Sequence, residues 1–158
     1  GFGPVLWRNF VTDPRDVLLA VSSSGCNAVT IDVAAEAKRL GMTVVALTSR
    51  ANADVSTSKH ESGRKLPEIA DVVLDHQAPP GDSAVWIEGL ETPVAPLSTV
   101  TGCTLINLAK AETARLLTKA GRPPKVLTSA CHRGAERART LFEATYDDYR
   151  RRIGVLYR

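Results

Sequence analysis

At 158 residues, with 44% apolar and 23% charged residues, the chain has the length and composition of a single globular domain, 1–158, with a core of useful size. No apolar run approaches the roughly 18–20 residues of a membrane span, and no basic-then-apolar N-terminal stretch reads as a secretory signal. The net charge of +3 collects near the C-terminus, where Arg137, Arg139, Arg150, Arg151 and Arg152 are interleaved with Glu136, Glu143, Asp147 and Asp148 at helical spacing, a self-paired helix face rather than a nucleic-acid surface.

Cys26, Cys103 and Cys131 are odd in number and widely spaced. They read as reduced thiols of a cytoplasmic protein, and no compact Cys/His cluster points to a metal site. No metal or redox cofactor is expected. The sequence opens on Gly1 rather than Met, so a processed chain or a piece of a longer one is expected.

In chain order, Asp16–Val21 is a short apolar run without alternation, the pattern of a strand buried on both faces of a parallel sheet. From Asn27 to Leu40, Val29, Val33, Ala37 and Leu40 recur at helical spacing, and Gly41 ends the helix. Thr43–Thr48 is a second buried strand, completing a βαβ unit. Residues 49–64 are polar without a period and are expected as a long loop. Leu66–Ala70 suggests one helical turn, Asp71–Asp75 a third strand, Ala78–Asp82 a turn and Ala84–Ile87 a short strand. Residues 98–119 carry the longest helical pattern, Val126–Thr128 is expected to be extended, and a polar-faced helix is expected from about Gly134 to Arg151. Alternating buried strands and helices predict an α/β fold with a doubly wound, mainly parallel sheet and helices on both faces.

Ligands of such sheets bind off the carboxyl ends of the strands. The first such place is Ser22-Ser23-Ser24-Gly25-Cys26-Asn27, where three hydroxyls precede a glycine and a helix start. Free backbone N–H groups there favour an anion, typically phosphate. The Gly-Lys-Ser/Thr ending of a Walker loop and the Gly-x-Gly-x-x-Gly fingerprint are both absent, so phosphate is implied and a nucleotide is not. A serine that only caps the helix is the plainer alternative.

Val21–Asn27, followed by a helix and then Val44–Ser49, resembles the sugar isomerase (SIS) domain, whose Ser-x-Ser-Gly-x-Thr/Ser loop holds the phosphate of a phosphosugar. More narrowly, the chain is similar to a bacterial SIS subfamily through Ser58–Leu66, Ala70–Val73, Pro80-Gly81-Asp82, Ser98-Thr99-Val100 and Arg152-Ile153. The resemblance implies a flavodoxin-type three-layer sandwich, and a phosphosugar site at an interface of a homodimer or higher homo-oligomer. By position it places Ser22, Ser24 and Asn27 at the phosphate, with Ser23 supplying backbone and Gly25 the turn. The carboxyl end of the second strand adds Thr48 and Ser49. Cys26 stands where the narrower group usually carries Arg, which removes a cation from the phosphate. A complete domain of this family begins further upstream, so this chain is expected to be N-terminally incomplete or to receive its first strand from elsewhere.

Sugar isomerisation moves a proton between adjacent carbons and needs a positioned acid and base. His60-Glu61 is the best local pair, with Lys59 and Lys65 nearby, and exposed loop charge is its bland alternative. His76 follows the third strand and reads either as a ligand contact or as a surface residue, and His132 as a structural histidine. Ser98 and Thr99 are helix caps that also stand near a site in this fold. Glu88 and Glu112 carry no local distinction. Three readings follow: a sugar-phosphate isomerase or related enzyme, a non-catalytic phosphosugar sensor, and a structural module with a vestigial serine loop. Neither nucleic acid nor membrane is an expected partner.

Overall fold

The computed structural model describes residues 1–156. The chain divides into two compact units, Gly1–Asn107 and Leu108–Arg158.

The first unit runs α1 (Gly3–Trp7), β1 (Val17–Val21), α2 (Ala28–Arg39), β2 (Thr43–Thr48), α3 (Arg50–Val55), α4 (Leu66–Ile69), β3 (Val72–Asp75), β4 (Ser83–Val85) and β5 (Val94–Pro96), then the beginning of α5 (Ser98–Lys119). β1, β2 and β3 form a parallel sheet in that order, with Leu18 opposite Val44 and Ala46 opposite Val73. This is the expected α/β architecture.

The core follows from the period of α2. Ile31, Ala34 and Ala37 point at the sheet and are fully buried, and they meet Ala20, Val44 and Ala46 from alternate strand positions, with Leu66 and Ile69 of α4 completing the cluster. Small alanines let the helix lie close on the strands. Asn27 caps α2 by accepting the Val29 N–H at 3.0 Å, and Gly41 follows the helix with φ of 84°. At the far end, the Asp71 carboxylate accepts from Lys38 Nζ at 2.5 Å and from the Val44 N–H at 2.8 Å, tying α2, β2 and the start of β3 together. Lys38 and this backbone bond hold the Asp71 carboxyl below its ordinary range.

Two expectations about this unit are corrected. β1 is not buried on both faces. It is an edge strand, and only its α2 side is covered, so Leu18 and Ala20 turn inward while Val17, Leu19 and Val21 stay 59%, 44% and 62% exposed. Residues 49–64 are not all loop either. Arg50–Val55 forms α3, because Ser49 caps it by accepting the Asn52 N–H at 3.1 Å. The short strand expected over Ala84–Ile87 is Ser83–Val85, and it forms a hairpin with β5, Val85 lying opposite Val94.

In the second unit, the remainder of α5 is followed by α6 (Ala130–Arg133) and α7 (Ala135–Leu156). Val126–Thr128, expected as extended, belongs to no strand. On α7, Arg150 pairs with Asp147, and Arg151 and Arg152 pair with Asp148, the self-paired helix face that the charge spacing implies. Among the described residues no helix is long and apolar enough to cross a membrane.

The packing of α2 gives a direct test. Ile31→Ala leaves a hole under a fully buried side chain and is expected to cost about 2–5 kcal/mol, read as a lower midpoint in urea unfolding with an unchanged slope.

Candidate functional site

The carboxyl ends of β1, β2 and β3 lie side by side, and the loop leaving β1 turns over them. Its geometry is set from below. The Ser22 N–H donates to Leu47 O at 3.0 Å, continuing the β1–β2 ladder by one step. Ser23 O then accepts twice from the end of β2 and the residue after it, from the Ser49 N–H at 2.9 Å and the Thr48 hydroxyl at 3.0 Å. Gly25 closes the turn with φ of 64°, and a Cβ there would stand 2.9 Å from Pro67 Cδ and 3.3 Å from Thr48 Oγ1. Only glycine suits both the left-handed backbone and the space. On its far side the loop is held by Gly25 O and Cys26 O, which accept from the N–H groups of Leu66 and Lys59 at 2.8 and 2.9 Å.

Beside this loop, on the sheet face opposite α2, lies an open cavity of about 440 Å³. Val21 and Leu47 form its floor, Ser22 and Ser23 one lip, and Ser98, Thr99, Gly102, Cys103, Ile106 and Asn107 of α5 the facing wall, with His76 also lining it. Gly102 lets α5 approach the sheet, since a Cβ there would already be in contact with Leu47 at 3.5 Å. The wall is anchored by Asp82, whose carboxylate accepts the Ser98 N–H at 2.7 Å and the Ser98 hydroxyl at 2.6 Å. The Ser98 hydroxyl and N–H hold the Asp82 carboxyl below its ordinary range against the opposing effect of burial.

The expected site residues fall into three groups. Ser22, Ser23, Ser98 and Thr99 line the cavity. Thr48 and Ser49 are fully buried and act from beneath, Thr48 by holding Ser23 O and Ser49 by donating to Ala78 O at 2.6 Å. Ser24 and Asn27 spend their side chains on the turn and the helix cap, accepting the N–H groups of Cys26 and Val29 at 3.4 and 3.0 Å.

His60 and Glu61 stand elsewhere. They line a separate hollow with Ala28, Val29, Asp32 and Lys59. The carboxylate that faces His60 is Asp32, 3.8 Å from its Nε2, while Ser62 Oγ lies 2.8 Å from Nδ1. Lys65 is turned away, donating to Ala53 O at 2.5 Å. The histidine in the serine-loop cavity is His76, which is 6% exposed. Its Nδ1 accepts the Ala78 N–H at 3.3 Å, so the neutral ring carries its proton on Nε2. His132 is exposed in α6, Glu88 is an exposed residue between β4 and β5, and Glu112 is paired with Arg115 on the surface of α5. Among the described residues no cluster of His, Cys, Asp and Glu has the geometry of a metal site.

Two residues were missed from sequence. Asn52 is 9% exposed and bridges the loop to the turn before β4, donating to Ser23 Oγ at 3.3 Å and accepting the Gly81 N–H at 3.3 Å. Asp82 fixes α5. The Gly-Asp turn signal at 81–82 was visible, but its link to a helix start 16 residues later was not.

Comparison with known proteins places this stretch of chain. A family model described as the SIS domain matches residues 1–49, which include the serine loop and the whole β1–α2–β2 unit. Relatives extend the match. A UPF0309 protein of Shouchella clausii is 39% identical over 130 residues, 82% of this chain and 53% of the relative. Residues 1–49 thus match the SIS domain. A second UPF0309 protein, from Halalkalibacterium halodurans, is 39% identical over 122 residues, 77% of this chain and 50% of that protein. A third, from Geobacillus kaustophilus, is 35% identical over 155 residues, 96% of this chain and 61% of that protein. The chain spans about half the length of the curated relatives it matches.

Two outcomes test the geometry. Gly25→Ala is expected to destabilise the domain by at least about 1–2 kcal/mol from the left-handed backbone alone, measured by chemical unfolding. Asp82→Ala removes a helix-start acceptor and is expected to cost about 1 kcal/mol, with faster amide exchange at the first turn of α5. Because the folded Asp82 carboxyl titrates below the unfolded one, its contribution is complete above the unfolded value of about 3.9. It is lost as the pH falls through the lowered folded value. The stability gap between the unaltered chain and Asp82→Ala should therefore close in acid.

Proposed function

We propose that this SIS domain binds a phosphorylated sugar, with the phosphate at the Ser22–Gly25 loop and the sugar along the α5 wall. The observation that carries this reading is the division of the cavity's polar groups. The backbone N–H groups of Ser23 and Ser24 make no hydrogen bond among the described residues, and Ser23 lines the lip where a tetrahedral anion would seat. Across the cavity, Ser98 Oγ has given its proton to Asp82 and is left as an acceptor, which suits a ligand hydroxyl. An anion-binding lip facing a hydroxyl-binding wall fits a phosphosugar better than a simple anion. Val21, Leu47 and Ile106 between them offer an apolar floor for a ring face.

Within this reading the domain acts either in a sugar-phosphate isomerase or related phosphosugar-processing enzyme, or as a non-catalytic sensor. Placement of His60 and Glu61 in their own hollow, with Asp32, favours the binding role for the serine-loop cavity. His76 is the acid–base group available to an enzyme there. The open β1 edge and the exposed Val17, Leu19 and Val21 support a homo-oligomeric assembly, and three free thiols suit a cytoplasmic location.

Thermal melting of the chain with aldose, ketose and amino-sugar phosphates, their unphosphorylated parents and inorganic phosphate tests the proposal. A bound ligand at a hundredfold excess over its dissociation constant adds about 2.7 kcal/mol of stability. The expected result is a rise confined to phosphorylated sugars, abolished in a Ser24→Trp variant that keeps its fold. Equal rises with the unphosphorylated parents would reject the phosphate assignment.

A further inference from the structure

The unit from Leu108 onward carries a surface that its own fold leaves open. No described residue in it is buried. A small unit without a core commonly draws its stability from a partner surface. Its longest element, α7, has 22 residues and so runs about 33 Å. One stripe of the helix is used inside the unit: Ala138, Leu141, Thr145 and Asp148 are half-buried, and Asp148 receives Lys125 at 3.5 Å. A second stripe is left outside. Phe142, Tyr146, Tyr149 and Ile153 follow one another at spacings of 4, 3 and 4, the repeat of a two-helix seam. Phe142, Tyr146 and Tyr149 are 55%, 55% and 56% exposed, and the Phe142 and Tyr146 rings stack with their centres 6.0 Å apart. Tyrosine suits such a seam, because its ring packs while the hydroxyl keeps to the wet margin.

The charges beside the seam select the partner. Glu143 follows Phe142 and Arg150 follows Tyr149, which puts both on one flank of the stripe. Glu143 makes no ion pair among the described residues, and Arg150 has only the exposed Asp147, at 3.7 Å. Two copies of α7 laid antiparallel set Tyr146 against Tyr149 and Phe142 against Ile153, and they bring Glu143 of each copy beside Arg150 of the other. A parallel pairing sets Arg139 against its own copy and leaves Glu143 and Arg150 opposite Ala138 and Thr145, with no charge to meet. A wholly acidic partner is repelled by Glu143 and a wholly basic one by Arg150, whereas a second copy satisfies both.

We propose that α7 is a self-association face, docking antiparallel on α7 of a second copy of this chain through the Phe142–Ile153 seam and two reciprocal Glu143–Arg150 pairs. It needs neither the serine loop nor a ligand, and it sets the contact apart from the β1 edge.

The test is sedimentation equilibrium of the full chain over a concentration series, with far-UV circular dichroism to check that each variant keeps its helices. The expected result is a reversible monomer–dimer equilibrium. Tyr146→Glu buries a charge in the middle of the seam and is expected to raise the dimer dissociation constant at least tenfold. Glu143→Arg and Arg150→Glu each replace two attractive pairs by two like-charge contacts, and each is expected to raise it about tenfold. The double variant Glu143→Arg/Arg150→Glu restores both pairs with the signs exchanged and is expected to return to within threefold of the unaltered chain. These two positions are exposed, so the charge exchange keeps the test open if Tyr146→Glu folds poorly. A chain that stays monomeric at every concentration would overturn the proposal. A dimer indifferent to Tyr146→Glu would overturn it by placing the contact elsewhere, the β1 edge included. Failure of the double variant to recover would overturn the antiparallel pairing. None of these outcomes bears on the phosphosugar reading, which the melting experiment decides separately.

Discussion

Ser23 O accepts two hydrogen bonds, from the Thr48 hydroxyl and the Ser49 N–H, and the rest of the site hangs on that pair. The carbonyl belongs to the loop after β1 and both donors to the end of β2 and its successor, so the bonds are a continuation of the β1–β2 register past the point where the strands end. Once Ser23 O is fixed downward, the Ser24 N–H of the same trans peptide points the opposite way, and Gly25 then closes the turn in the left-handed region. The burial of Thr48 and Ser49 then has a reason. These residues lie at a point where the sequence invites a ligand contact, yet their polar groups are consumed in holding the serine loop.

The same logic explains how much was legible from sequence. α2 and α5 read well because a long apolar period, with a cap at Asn27 in α2, leaves little choice of element. β1 read as a strand, but its burial did not. An apolar run shows that both faces want cover, and the sheet order decides whether both receive it. α3 was hidden because its six residues carry no apolar stripe, and only the Ser49 cap marks it. β5 was hidden by the prolines at 93 and 96, which argue against a strand in sequence and are tolerated in a short edge hairpin. Within the site, the serine loop was visible because its elements are contiguous. Asn52 was not, since both of its partners are 29 residues away and nothing local sets it apart from a solvated loop amide.

Uncovered surface has a consistent pattern in the first unit. Val17, Leu19 and Val21 of β1 and Val72 of β3 lie on the sheet face away from α2, and all remain substantially exposed. The β1 edge beside them has no strand partner among the described residues. A sheet of three parallel strands whose second face is covered only in part is a poor free-standing surface, because its open edge and exposed apolar residues both favour further pairing. The α2 face, in contrast, is closed by Ile31, Ala34 and Ala37 and needs nothing more.

These two faces divide the work of the domain. The α2 face supplies stability, with a core of small residues and the Lys38–Asp71–Val44 tie at the end of the strands away from the loop. On the opposite face, Val21 and Leu47 at the strand ends floor the cavity and α5 approaches over Gly102. Asn52 and Asp82 connect the layers by spending their polarity on backbone N–H groups and hydroxyls. Each makes one side of the cavity chemically definite, Asn52 by turning the Ser23 proton outward and Asp82 by drawing the Ser98 proton away. A cavity with donors on one lip and an acceptor on the facing wall is polarised across its width without a charged side chain of its own.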